Sequence, residues 1–362
     1  MRLLIDLQAA QAGNRERGIG RYALALTEAL LRQAASHEVW IALNDAFPET
    51  IEPLRALFDR LLPQQRIVVW RTPMPAAGNN PANDWRRSAG EILRESFIAG
   101  LEPDIVYLPS LFEGLVDDAV TSVGQITDGT RAAVAIHDLI PLMRPDLYLA
   151  DPAVANGYQR KITSLRRAGL WLPVSDWSRR EAMARLDLPG EKAVVVANAA
   201  DARFRPMVLT EEERGRILAR FGLSRPFVLY TGGADARKNI EGLLAAWARL
   251  PEPTRAQQQL AIVGAFDRDS LAAIHRRAER SGLGPDELVL TGFVADDDLV
   301  FLYNLCRVFC FPSLFEGFGL PVLEAMQCGA PTIGANRTGI PEVIGRVDAL
   351  FDPLDPAAIA AR

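Results

Sequence analysis

Short apolar, β-branched runs alternate with longer amphipathic stretches along the whole chain, and this alternation restricts the fold more than any other feature. It is the pattern of βα units that build a parallel sheet. The first half predicts strands near Leu3–Leu7, Glu38–Leu43, Arg66–Trp70, Asp104–Leu108, Ala132–His137 and Gly169–Val174. Helices are expected near Gly20–Gln33, Trp85–Phe97, Ala153–Arg167 and Ser178–Leu186. A last strand, Ala193–Ala197, leads into an aperiodic stretch that ends at the helix-breaking Pro206. The pattern then restarts, with strands near Pro226–Thr231, Leu260–Val263, Glu287–Leu290, Val308–Phe311, Pro331–Ile333 and Ala349–Phe351. Helices near Asn239–Leu250, Ser270–Ser281 and Leu320–Cys328 lie between them.

A chain of 362 residues exceeds what one core usually supports. The expected division is a domain over 1–197, a linker over 198–206 and a second domain over 207–362. The final stretch, Asp355 to Arg362, reads as a helix barely begun, as in a module of a longer polypeptide. A net charge of −5 argues against nucleic acid as a partner. The N-terminal apolar run breaks at Asp6, too early for a signal peptide, and no stretch is long enough to span a bilayer. Cys306, Cys310 and Cys328 form an odd set without nearby histidines, which predicts buried free thiols in a reducing cytoplasm.

The densest chemistry lies in Pro312–Gly329, where a strand, a glycine-containing turn and a helix start follow one another. A helix N-terminus at the carboxyl edge of a parallel sheet favours a phosphate, and Gly317, Phe318 and Gly319 make the turn that approaches it. Glu316 and Glu324 would stand roughly 12 Å apart at helical rise. Glycosidase carboxylates stand at about 5 Å or up to about 9.5 Å, so a hydrolytic pair is disfavoured and a pair spanning a nucleotide sugar is preferred. A second strand–turn–helix, Tyr230–Asn239, carries Arg237 and Lys238, cations suited to a diphosphate leaving group. His137 follows a strand end, where contact with a transferred sugar is expected.

Gly18-Ile-Gly20-Arg-Tyr-Ala23 fits a dinucleotide fingerprint in letters, but it starts some ten residues after its strand instead of at once. A flexible loop, 11–17, opening onto a helix N-terminus is the better reading, and a dinucleotide oxidoreductase is disfavoured. Asp296–Asp298 reads as an N-cap, not a metal pair, and no metal site is assigned. Arg160, Lys161, Arg166, Arg167, Arg179 and Arg180 suggest a basic face for peripheral contact with a membrane, with solvated helix faces as the alternative.

Several segments together resemble the retaining glycosyltransferases of family 4. These are Glu316-x7-Glu324, Cys328-Gly-Ala-Pro, Gly339-Ile-Pro-Glu-Val-Ile, Leu350-Phe-Asp-Pro-Leu-Asp-Pro, Gly18-Ile-Gly-Arg-Tyr, His137-Asp138 and Val174-Ser-Asp-Trp-Ser178. The resemblance covers nearly the whole chain and implies the GT-B α/β fold, with two facing Rossmann-like lobes across a cleft. It also implies that Glu324 binds ribose, Lys238 the diphosphate, His137 the donor sugar, and Glu316 with the 317–319 backbone the sugar hydroxyls. The nucleobase would lie near Gly292, Phe293 and Val294. Gly18 and Gly20 would face the donor across the cleft, and Arg237 takes the place of an arginine that many members carry after Gly232. Members retain anomeric configuration and need no metal. The implied reaction is transfer of a hexose, mannose from GDP-mannose, to a glycan or lipid-linked acceptor in bacterial surface polysaccharide assembly, in the cytoplasm or at the inner face of its membrane. A UDP-sugar donor and a non-catalytic donor-binding module of a larger synthase are the alternatives.

Overall fold

Six strands of the first half, β1 (Arg2–Asp6), β2 (Glu38–Asn44), β3 (Ile67–Trp70), β4 (Ile105–Leu108), β5 (Ala132–Ile136) and β6 (Leu170–Pro173), form one parallel sheet. Their order is β3-β2-β1-β4-β5-β6. The second half repeats the plan with β7 (Phe227–Thr231), β8 (Gln259–Val263), β9 (Leu288–Gly292), β10 (Val308–Phe311), β11 (Thr332–Ala335) and β12 (Leu350–Phe351). Here the order is β12-β11-β10-β7-β8-β9. These coordinates are a computed structural model that describes every residue except 17 and 35. The chain divides into two units, Met1–Ala197 and Asn198–Arg362.

Both sheets are doubly wound, with helices covering both faces, which is why a strand such as β5 (Ala-Ala-Val-Ala-Ile) is buried throughout. In each sheet the winding direction reverses once, between β1 and β4 in the first and between β7 and β10 in the second. Ligands of open α/β sheets bind beyond the strand ends at such a reversal. In the second unit the loops that leave this point are 232–239 and 312–319, the two segments that carry Arg237, Lys238 and Glu316. The core beneath them is aromatic, with Phe309 stacked near Phe311 and Tyr303 edge-on to Phe309.

Several expectations change. Residues 193–197 are not a strand of the sheet. Ala193 makes one isolated bridge to Trp171, while Val194 and Val196 donate to the Trp171 and Pro173 carbonyls. Val194 and Val195 stay half exposed, so the run has little burial to hold it in a ladder. The stretch after it is packed: Phe204 is buried in the second core, with its ring edge-on to Tyr303. The segment 211–220, unassigned from sequence, is a helix started by a reciprocal Thr210–Glu213 capping box. The loop 11–16 is anchored rather than flexible, and residue 17 of that reading lies outside the described residues. Gln11 is fully buried, its Nε2 donating to Asn44 O and Thr50 Oγ1 while its Oε1 accepts from Asn44 N. The three cysteines are buried free thiols, and burial pushes both Cys306 and Cys310 up to about 12. Among the described residues, no helix is long and apolar enough to cross a membrane.

Candidate functional site

Strand β7 ends at Thr231 and passes through Gly232 and Gly233 to a single turn, Ala236–Lys238, capped by Asp235 Oδ1 accepting from Arg237 N at 2.9 Å. Asn239 follows in the left-handed region (φ 57°), a conformation asparagine tolerates better than most residues. Its Oδ1 caps helix Ile240–Trp247, and its Nδ2 donates to Pro312 O and Pro353 O. Asn239 thereby ties the loop after β7 to the loop after β10. Leu314 N donates to Arg237 O at 2.7 Å and tightens the same junction.

On the opposing loop, Glu316 N donates to Thr338 Oγ1 at 3.0 Å, and Gly339 N donates to Glu316 O. A Cβ at Gly339 would stand 2.4 Å from Gly317 O, so only glycine permits this approach. Gly319 (φ 102°) is the N-cap of helix Leu320–Gln327. The result is a compact ionic cluster: Lys238 Nζ donates to Glu316 Oε1 at 2.6 Å, and Arg237 Nη1 donates to Glu316 Oε2 at 3.0 Å and to Phe315 O at 2.9 Å. Lys238 Nζ also lies 5.4 Å over the Phe311 ring. Burial pushes the Glu316 carboxyl up, but Lys238 and Arg237 outweigh it and hold it below the usual glutamate range. Glu316 is therefore held by two cations in this structure, where the sequence suggested carboxylate and cations each free for ligand.

Glu324 is 4% exposed and accepts from Tyr303 Oη at 3.1 Å, which lies 3.1 Å from Thr231 Oγ1 at the end of β7. A buried hydroxyl relay thus connects the carboxylate to the reversal point. Tyr303 and Thr231 were not picked out from sequence, and the available signal was a tyrosine on the buried face of helix Asp296–Leu305, beside Leu299, Val300 and Leu302. At the end of β9, Gly292 has φ 73° and Phe293 is 76% exposed. Val294, by contrast, is a core residue whose side chain is turned from solvent. Asp296–Asp298 does not cap. Ala295 is the N-cap, the aspartates fill the first turn, and Asp298 pairs with both Nη atoms of Arg220. That position favours acidic side chains through the helix dipole.

In the first unit His137 sits just past β5. Its Nε2 donates to Pro109 O at 2.9 Å, and Tyr22 stands edge-on at 4.8 Å. Burial pushes the imidazole down, against opposite pulls from the Pro109 bond and Asp138, so the ring is neutral at pH 7 with Nδ1 as its acceptor. Helix Gly18–Gln33 begins at Gly18, but Gly20 N donates to Asn14 O, so that N–H is not open to an anion. A Cβ at Gly20 would stand 2.2 Å from Arg15 O. Of the six residues of the expected basic face, Arg166 and Arg167 donate to the Leu186 and Gly124 carbonyls, Arg179 and Arg180 pair with Asp176, and Lys161 donates to Thr121.

Residues 217–362 match the family model described as "Glycosyl transferases group 1". The chain is 35% identical over 356 residues to the serotype-specific mannosyltransferase WbdA of Escherichia coli, covering 98% of this chain and 42% of that protein. It is 36% identical over 236 residues to O-antigen chain mannosyltransferase B of Escherichia coli, covering 64% of this chain and 60% of the relative. The chain thus spans less than two thirds of these curated relatives. Among solved structures, Anabaena HepE in complex with UDP and glucose superposes with a TM-score of 0.68 at 18% identity, over 100% of this chain and 88% of that one. WaaG, a glycosyltransferase involved in lipopolysaccharide biosynthesis, gives 0.67 at 13%, over 100% and 89%. Two Rossmann-like units and these neighbours define the fold as GT-B, the architecture of a class of glycosyltransferases. Residues 217–362 are thus a group 1 glycosyltransferase domain, in a chain that is similar over most of its length to a curated mannosyltransferase.

Proposed function

We propose that this chain transfers mannose from GDP-mannose, with retention, to a glycan or lipid-linked acceptor in surface polysaccharide assembly, at the cytoplasmic side of a membrane. The observation that carries the reading is the Lys238–Glu316–Arg237 cluster at the β7/β10 reversal, together with relatives named as mannosyltransferases. A donor diphosphate would draw Lys238 and Arg237 from Glu316. In the reaction the bond from sugar C1 to the phosphate oxygen breaks and a bond to the acceptor oxygen forms. The acceptor proton passes to the departing phosphate, which leaves as GDP. Negative charge grows on that phosphate, where two fixed cations lower the barrier, and no metal is needed for this task. Glu316, with the 317–319 backbone, would accept from sugar hydroxyls, Glu324 from the ribose, and His137 Nδ1 from a hydroxyl of the transferred sugar. Phe293, exposed beside Gly292, offers a surface for the base.

A thermal-shift panel of GDP, UDP, ADP and their sugars, on the wild type, Lys238→Ala and Glu324→Ala, tests the site. Losing one charged hydrogen-bonding partner should weaken GDP by roughly 10- to 100-fold. Undiminished nucleotide binding in both variants would remove the assignment. Mannose transfer to an added oligomannoside then tests the reaction, and stronger binding of UDP than GDP would replace the donor.

A further inference from the structure

The first unit holds a cation cluster that the proposed reaction does not use. Arg87, in the first turn of helix Asp84–Gly100, meets Arg160 and Lys161 of helix Pro152–Arg167 around a cavity of about 60 Å³. By the ~10–15 Å³ needed for one water, this holds several waters or one tetrahedral oxyanion. The Arg87 side chain is 5% exposed; its Nη2 donates to Asp84 Oδ1 at 2.7 Å, yet its Nη1 is buried without a hydrogen-bond partner. A Cβ at Gly78 would stand 3.3 Å from that Nη1, so the glycine leaves the guanidinium edge uncovered. The Tyr158 hydroxyl on the same wall is also buried and unpartnered. Two orphaned donors in one cavity are costly unless something accepts from them.

The charges point the same way. Burial and then Arg87 push Arg160 down, and burial pushes Lys161 down to about 8, with Arg94 and Arg87 adding to it against Glu91 and Glu113. Glu113 offers little compensation, since its carboxyl accepts from Ser110 and Asn14 and burial raises its pKa. Lys161 Nζ is held at the wall by Thr121 O and Oγ1, both at 2.6 Å.

We propose that this cavity is an oxyanion site that takes a phosphate group, with Arg87 Nη1 and Tyr158 Oη donating to it and Arg160 and Lys161 supplying charge. It lies in a different unit from Lys238 and Glu316 and does not rest on the donor assignment. Inorganic phosphate and a lipid phosphate offer the same chemistry. Trp85, two residues from Arg87, and Val116, beside the cavity-lining Leu115, are 64% and 72% exposed, as an apolar tail would require.

Calorimetric titration of the full chain with inorganic phosphate tests the site, once with GDP saturating and once on Lys238→Ala without nucleotide. Failure of the donor reading therefore cannot imitate or mask the result. Binding of one phosphate is expected in each arm, and each substitution is made in both backgrounds. Tyr158→Phe, which leaves no new unsatisfied group, should weaken it by about 3- to 10-fold, and Arg160→Gln and Arg87→Gln by roughly 10-fold or more. Co-sedimentation with phosphatidylglycerol against phosphatidylcholine vesicles separates the sources: an Arg87-dependent preference for the anionic vesicle identifies a lipid phosphate, and phosphate binding without it identifies the free ion. No phosphate binding in either arm, or binding unchanged in both Tyr158→Phe and Arg160→Gln, overturns the proposal.

Discussion

Replacing Glu316 by glutamine keeps the shape of the side chain but removes the charge that holds Lys238 and Arg237. Those cations are 14% and 24% exposed, so solvent replaces their counter-ion only in part. Removing one member of a fully buried pair costs about 3–5 kcal/mol. Here the amide oxygen still accepts one bond and water reaches the cations, so the expected loss is about 2–3 kcal/mol. For a unit of this size that lowers its melting transition by roughly 5–10 °C. A cycle with Lys238→Met should give a coupling of about 1–2 kcal/mol. Because the folded carboxyl is held below its ordinary value near 4.5, its contribution is complete above that pH and disappears as pH falls through the folded value. The stability gap between wild type and Glu316→Gln should therefore stay constant from pH 7 to about pH 5.5 and close on further acidification. Scanning calorimetry across this range provides the measurement. A gap below about 0.5 kcal/mol at pH 7, or a coupling of zero, would refute the ion cluster. The same variant separates two roles, because freeing the cations should keep GDP affinity at or above wild type, whereas Lys238→Met should lower it.

Three further substitutions test the first unit. Gly20→Ala should destabilise by about 1–3 kcal/mol in urea unfolding, since its Cβ meets the Arg15 carbonyl at 2.2 Å, whereas Gly18→Ala, with nothing within 4 Å, should stay within about 0.5 kcal/mol. Glu95 Oε2 accepts from the amides of Gln125, Ile126 and Thr127, and its Oε1 accepts from Ser122 Oγ. Glu95→Gln turns an NH₂ towards one of these donor sets, so amide exchange over 125–127 should accelerate by roughly 10-fold or more, and unchanged protection would contradict the anchoring role.

The sheets were legible because a parallel strand covered on both faces needs a near-continuous apolar run, and β5 and Leu260–Val263 of β8 supply one. The same rule misreads Val194–Val196, where the residue types suit a strand but the burial that would reward it is missing. Polar cores leave no periodic signal at all. Asp6 accepts from Gln8 and Arg94, Gln8 Oε1 accepts from Asn44 Nδ2, and all four side chains are buried. In sequence they look like ordinary surface residues, since buried charges and amides are satisfied by partners far along the chain. The Tyr303–Glu324 bond was hidden for the same reason.

Periodicity establishes that strands exist but not their order, and the order decides which loops meet. Lys238 and Glu316 are 78 residues apart, and they touch because β7 and β10 are neighbours while β8 and β9 are wound to the other side. Had β10 been added beyond β9, the two loops would leave opposite parts of the sheet, and the carboxylate and ammonium would need separate counter-ions. The sequence carries this arrangement less in its charged residues than in the small ones around them. Gly339 allows the 317 carbonyl to approach, Gly319 turns the chain into its helix, and Asn239 accepts a left-handed backbone while bonding to Pro312. Lys238 and Glu316 are therefore readable as a site only when these three positions are read with them, because without that backbone the same two charges would be ordinary solvated loop residues.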